Sequence, residues 1–551
     1  MSVMRRMVFD NPVLTKELRI RMRGARTYWT MAGYLLFVSL VMFFQYLAWW
    51  ASAHDGGLSS GSKMGQQFFS WLAITQGFLV AFLTPAITAG AITVEREQET
   101  LEMLEVTRLP RAALAVGKLL SAVTFTGLLL LSSLPLTSVC FFLGGVSPAE
   151  VIGSYALLFA ASVLTGALGL LWSTIARTTA SAVVLTYGSL VAPGVLVLTV
   201  YTTAMVGSYS YNAAPASITM RSLPASLLGV VSPNALADVP SGMRVAEMRH
   251  WFSLPMAPWL PPTLTYLLLG LALAAAAAAR LDTFPDRKAS AARLLVAAFV
   301  AQQALFLFGA RFSGPVVVGR DALGAPIAAL AYPSLLLLAL APVFCTGEIR
   351  PAEARRWASR LAWGWTPEGL RRGRLASGLP YLAALCALVI ALYAGSLALT
   401  GRADAIARGL GPAAAVMVAS LVGFAAIGQL FSALTRSRWA ALSLTLCALA
   451  VALVAPMVAL ASYSSEPVHN SPSVWLQLIY LNPFAAIWDL ADPSLLASGD
   501  LPLLFSRAPL WVVGSVGHGL LAVMSLVLAQ PLIAREAARP ALPYEDMAAR
   551  A

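Results

Sequence analysis

Twelve apolar stretches dominate this chain, and a stretch of about 20 such residues crosses a hydrocarbon core of about 30 Å as one α-helix. In the first half they fall near 30–50, 67–93, 116–143, 151–175, 181–206 and 257–279. In the second half they fall near 293–310, 326–346, 379–400, 411–434, 439–463 and 509–534. Lipid offers no partner to backbone polar groups, so such spans are helices. Only 11% of residues are charged and mean hydropathy is +0.76, whereas a soluble domain carries about 25% charge. An all-α polytopic membrane protein is the expected fold class. Met1 to Arg26 is basic rather than leader-like, so the first span is expected to remain as an anchor.

The stretches are arranged twice in the same order. Pro85 matches Pro342, Gly117-Lys118-Leu119 matches Gly373-Arg374-Leu375, and Leu171-Trp172-Ser173 matches Leu430-Phe431-Ser432. Ser232-Pro233-Asn234-Ala235 likewise matches Asn482-Pro483-Phe484-Ala485. Six spans return a chain to its starting side, so the repeats are expected to be parallel, related by an axis along the membrane normal. Residues 1–285 are read as a first six-helix unit, 286–540 as a second, and 541–551 as a cytoplasmic tail. The outer segments, about 207–256 and 464–508, are expected to hold short re-entrant or surface elements broken at Pro233, Asn234 and Pro483.

Basic residues set the orientation. With the N-terminus inside, 28 of the 37 Lys and Arg fall on inner segments, which the positive-inside rule requires. Both termini are then expected to be cytoplasmic, and scarce Lys beside abundant alanine, as in Ala272 to Ala279, gives the expectation of a bacterial plasma membrane. The net charge of +12 reflects this topology and does not argue for nucleic acid. Cys140, Cys345, Cys386 and Cys447 lie in or beside spans and read as packing residues, without metal-ligand spacing.

Two polar segments stand out between the spans. Asn11-Pro12 reads as a helix start; beyond it Leu14, Leu18, Met22, Ala25 and Trp29 share one face and Lys16, Arg19, Arg23 and Arg26 another, as in an interfacial helix. Thr93 to Leu109 is rich in helix formers and ends at Pro110, with Glu95, Glu99 and Glu102 in a carboxylate stripe. An acidic helix beside a basic membrane edge suits a protein partner better than anionic lipid.

These segments resemble the type-2 permease class of ATP-binding-cassette (ABC) transporters. The resemblance rests on Asn11-Pro12-Val13-Leu14 with Lys16-Glu17-Leu18-Arg19, on Glu95-Arg96-Glu97 with Thr100-Leu101-Glu102, and on Thr107 and Gly117-Lys118-Leu119. It implies that Glu95, Arg96, Glu97, Glu99, Thr100, Leu101, Glu102, Leu104, Thr107, Gly117 and Lys118 form or support an ATPase-coupling element. Asn11, Pro12, Leu14, Leu18, Arg19 and Arg23 would form an interfacial helix. The second half departs from the pattern at Gly347-Glu348-Ile349-Arg350-Pro351 and has a basic loop; Glu348, Arg355, Thr366, Pro367, Gly373 and Arg374 are its counterparts, with unequal coupling of the halves expected.

A phosphate-binding loop needs G-x-x-x-x-G-K-[ST]. Gly117-Lys118 is followed by Leu119, and Gly61-Ser62-Lys63 lacks the earlier glycine. The chain is therefore expected to bind no cofactor and to be no enzyme, with ATP and Mg held by a separate cytoplasmic ABC ATPase, two copies per complex. An accessory extracytoplasmic protein is compatible with this reading. The expected function is a permease subunit, with export the favoured direction. The rivals are an ion-coupled secondary transporter, disfavoured by the lack of Asp, Glu, Lys or Arg near mid-span, and a mechanotransmission subunit that conducts nothing. No charge or aromatic cluster singles out a substrate.

Overall fold

The computed structural model describes residues 12–23, 25–53, 61–100, 111–191, 249–251, 254–257, 259–281, 285–312, 330–347, 378–399, 410–435, 437–465, 482–483 and 509–538. Helices occupy the described parts of the apolar stretches, and among the described residues eight are long and apolar enough to cross a membrane. The chain is an α-helical, multi-pass membrane protein. The described residues also hold one two-stranded ribbon, β1 (Arg249–Trp251) with β2 (Leu254–Met256).

The first compact unit, which ends at Phe299, opens with α1 (Pro12–Met22) and α2 (Ala25–Ala53), then α3 (Gly61–Ala89) and the short α4 (Thr93–Glu97). There follow α5 (Arg111–Ser132), α6 (Leu134–Leu143), α7 (Pro148–Ile175), α8 (Thr179–Val191) and α9 (Leu260–Leu281). Helix α10 (Pro285–Phe312) contains the division between the units. The second unit continues with α11 (Ala331–Cys345), α12 (Gly378–Leu399), α13 (Gly411–Thr435), α14 (Arg438–Ser465) and α15 (Leu510–Ala537).

Each unit is organised around one long helix. In the first, α7 lies against α3, α5 and α9; in the second, α13 lies against α11, α12, α14 and α15. Small residues make the close approaches possible. A Cβ on Gly166 would meet Thr84 Cγ2 and Leu119 Cδ1 at 3.0 Å, so α7 lies tightly on α3 and α5, as small-residue faces do in membranes.

Apolar side chains face outward as well as inward. Leu36, Phe37, Leu40, Phe43, Phe44 and Leu47 are exposed along α2, and Val516, Leu520, Val523, Met524, Val527 and Leu528 along α15. Patches of that extent are costly in water and neutral in lipid. The exposed Trp29 and Trp50 stand about 31 Å apart along α2 at 1.5 Å per residue, which matches two aromatic girdles on one hydrocarbon core.

The stretch expected as one span over 116–143 lies in a single candidate span, Ala113–Leu143, whose helix has a one-residue break at Ser133. Pro135 supplies no N–H and its ring crowds the carbonyl of Leu131, so the helix restarts there. The break is held by buried polar groups from three other spans. Gln76 Nε2 donates to Ser133 Oγ at 2.8 Å, Tyr155 OH lies 3.1 Å from the same oxygen, and Tyr34 OH donates to it at 3.5 Å. Ser133 Oγ in turn donates to the Leu130 carbonyl at 2.6 Å.

Candidate functional site

The charged residues of the Glu95-Arg96-Glu97 segment are held at the end of α3. Helix α3 gives way to a turn at Gly90–Ile92, and Ser173 Oγ of α7 accepts the amides of Ile92 and Thr93 at 2.9 and 3.1 Å. That bond fixes α4 to the last turn of α7, where carbonyls without intrahelical partners collect.

Each charge of α4 then engages a different helix. Lys118, buried in α5, donates to Glu95 Oε1 at 2.7 Å and to Glu17 Oε1 of α1 at 3.4 Å. Arg96 donates to the carbonyls of Ala176 and Thr174 at 2.6 and 3.4 Å, placing a cation at the negative C-terminus of α7. Glu97 accepts from the backbone N–H and hydroxyl of Thr179 at 2.7 and 2.8 Å, placing an anion at the positive N-terminus of α8. Thr178 completes that end as its cap, accepting from the Ser181 amide at 3.3 Å.

The network extends to α1 through Glu17, whose other oxygen lies 3.7 Å from Arg21 Nε. Positive and negative groups alternate along Arg21, Glu17, Lys118 and Glu95. Lys118 is only 7% exposed, and a buried ammonium without carboxylates would cost several kcal/mol. Burial pulls the Arg21 guanidinium below its ordinary value, opposed by the Glu17 carboxylate. The Glu97 carboxyl, solvent-exposed and beyond the 89th residue where α3 ends, is held below the ordinary carboxylate range by the Thr179 backbone N–H and then by the Thr179 hydroxyl.

The helix expected to run to Leu109 stops at Glu97. Thr100 N–H bonds the Glu95 carbonyl at 3.0 Å and Glu99 N–H the Arg96 carbonyl at 3.2 Å, with Glu99 at φ 57°. This is a Schellman closure with glutamate where glycine is usual. Glu95 and Glu99 therefore do not share a helical stripe. Gln98, Glu99 and Thr100 are exposed, whereas Glu95 is turned inward to Lys118. Leu101, Glu102, Leu104 and Thr107 lie outside the described residues.

The interfacial helix also differs from expectation. Leu14 and Leu18 are half-buried against the first unit, with Val13 buried, because Glu17 on the same side reaches Lys118. Helix α1 ends at Met22, so Ala25 and Trp29 belong to α2 and do not extend that face. Pro12, Arg19 and Arg23 are exposed, and Asn11 lies outside the described residues. Gly117 is buried beside Lys118. In the second half, Glu348, Arg355, Thr366, Pro367, Gly373 and Arg374 lie outside the described residues, as do Pro233 and Asn234. Pro483 is buried next to Asn482, whose side chain donates to the Leu453 carbonyl at 3.3 Å.

Ser173, Thr179 and Glu17 complete the site without a role assigned to them from sequence. A signal for the first existed. Ser173 and Ser432 occupy matched places in the repeated segment, and Ser432 Oγ accepts the Gly347 amide at 3.1 Å, just beyond the end of α11. Gly169 and Gly428, four residues upstream, each face the end of a proline-containing helix: Pro85 and Thr88 in one unit, Cys345 and Thr346 in the other. Comparison with protein-family models, with curated proteins and with solved structures yields no match.

Proposed function

We propose that this chain is the permease subunit of an ABC transporter of the type-2 class, energised by a separate ATPase. The observation that carries this reading is the distribution of charges on α4. Glu95 holds α5 and, through Lys118, α1; Arg96 holds the end of α7; Glu97 holds the start of α8. A five-residue element tied to four others turns a push at its tip into coordinated movement of three spans and α1. A coupling element needs that property.

In this reading the exposed Gln98-Glu99-Thr100 tip is the contact, and Glu95, Arg96, Glu97 and Lys118 transmit. The twelve helices form two parallel six-helix units in a bacterial plasma membrane, with both termini cytoplasmic. The matched Ser173 and Ser432 bonds, and the matched surroundings of α7 and α13, support such a duplication. ATP-driven closure of two partner subunits would tilt the units toward the outward-open arrangement, and hydrolysis would reset them for export.

The chain, purified from its native membrane, is expected to carry an ATPase subunit and vanadate-sensitive ATP hydrolysis. Glu99→Lys should remove both without lowering thermal stability, because Glu99 is exposed and among the described residues its side chain makes no tie to the junction. A preparation free of any ATPase, with transport driven by an ion gradient, would overturn the reading.

A further inference from the structure

We infer that the outward face of α1 binds the phosphate headgroups of anionic phospholipids. Val13, Leu14, Glu17, Leu18 and Arg21 turn toward the body of the first unit, where Glu17 meets Lys118. Lys16 and Arg19 follow at i and i+3 on the opposite side, and Arg23 comes directly after the last residue of α1. All three are exposed, and among the described residues none has a carboxylate partner. Glu17, the one acidic residue of α1, is already engaged.

The surroundings of these basic residues select lipid over a soluble acidic protein. Ile20 and Met22 lie among them and are 60% and 48% exposed, positions suited to the boundary between headgroups and acyl chains. Tyr28 and Trp29, 72% and 77% exposed in the first turns of α2, mark the interfacial level only a few residues away. Guanidinium groups match phosphate oxygens in bidentate geometry, and basic residues beside a span are drawn to anionic leaflets. Positive charge, apolar flanks and an aromatic girdle thus coincide on one short segment. The inference stands independently of the ATPase reading, because it requires only a membrane chain.

The test uses the full-length chain in nanodiscs of mixed phosphatidylcholine and phosphatidylglycerol, with the lipid retained after extraction identified by native mass spectrometry. Wild-type protein is expected to retain phosphatidylglycerol in excess, and the excess should shrink as ionic strength rises. Lys16→Gln, Arg19→Gln and Arg23→Gln should each lower the preference by up to about five-fold, and the triple variant that combines them should lower it further, with the elution profile unchanged. Ile20→Ser with Met22→Ser should reduce total retained lipid without changing the ratio. Equal retention of the two lipids by wild-type protein, or an unaltered ratio in the triple variant, would overturn the inference. So would a triple variant that keeps its lipid ratio and instead loses a protein subunit.

Discussion

The ammonium of Lys118 lies 2.7 Å from the carboxylate of Glu95, joining the tip segment to α5 in a site only 7% and 16% exposed on its two sides. Lys118 also serves Glu17, so its removal strands two carboxylates, whereas removal of Glu95 leaves the ammonium one partner. Lys118→Met is therefore expected to destabilise by about 2–3 kcal/mol, below the fully buried range because both carboxylates retain some solvent. Glu95→Gln should cost less. Thermal unfolding of the two variants in detergent checks the order, and equal melting temperatures would contradict the shared-cation geometry.

The bonds from Thr179 to Glu97 predict an acid-sensitive start to α8. Its carboxyl is held below the ordinary value, so the stabilisation is present above the unfolded pKa and is lost as pH falls through the folded one. Hydrogen exchange at Thr178 to Ser181 should accelerate on acidification through that window. In Glu97→Gln the same amides should exchange faster already at neutral pH and respond less to acid. A wild-type profile flat across the carboxylate range would argue against the tie.

Span-scale features were legible in the sequence because apolar length and proline placement are local properties. The eight described helices that are long and apolar enough to cross a membrane follow from them. The junction was not legible in the same way. Glu95 to Pro110 has the composition of a continuous helix, yet Glu97 is drawn to Thr179 and Arg96 to the end of α7, and the chain turns at Glu99. Those partners lie about 80 residues downstream, beyond the reach of any helical periodicity. The resemblance points to Lys118 by its motif alone; its burial between two carboxylates depends on Glu17, 101 residues away.

Gly169 and Gly428 occupy matched places but differ in the space around them. A Cβ on Gly169 would stand 2.3 Å from Thr88 Oγ1 and 3.2 Å from both Ala89 N and the Pro85 carbonyl oxygen, two of them backbone atoms that cannot swing away. Gly169→Ala is expected to cost about 1–3 kcal/mol through forced separation of α7 from α3. At Gly428 the nearest atoms are Thr346 Cγ2 at 3.4 Å and Cys345 Cβ at 3.6 Å, ordinary contact distances. Gly428→Ala should be neutral or stabilise by about 0.5–1 kcal/mol, since alanine suits a helix interior better. Melting temperatures moving in the same direction by the same amount would show that the two approaches are equivalent after all.

Ser133 carries the break between α5 and α6, and its hydroxyl meets the side chains of Gln76, Tyr155 and Tyr34. Hydrogen bonds between membrane helices average about 0.6 kcal/mol each, so Ser133→Ala, which removes the shared oxygen, should cost about 1–2 kcal/mol. Gln76→Leu removes only one contributor and should cost less. Because the two residues share a bond, the double variant should be more stable than the sum of the single losses predicts. A double-mutant cycle measured by thermal unfolding in one detergent reads this coupling directly. Strict additivity would mean that Gln76 and Ser133 act separately, leaving Pro135 alone to account for the break.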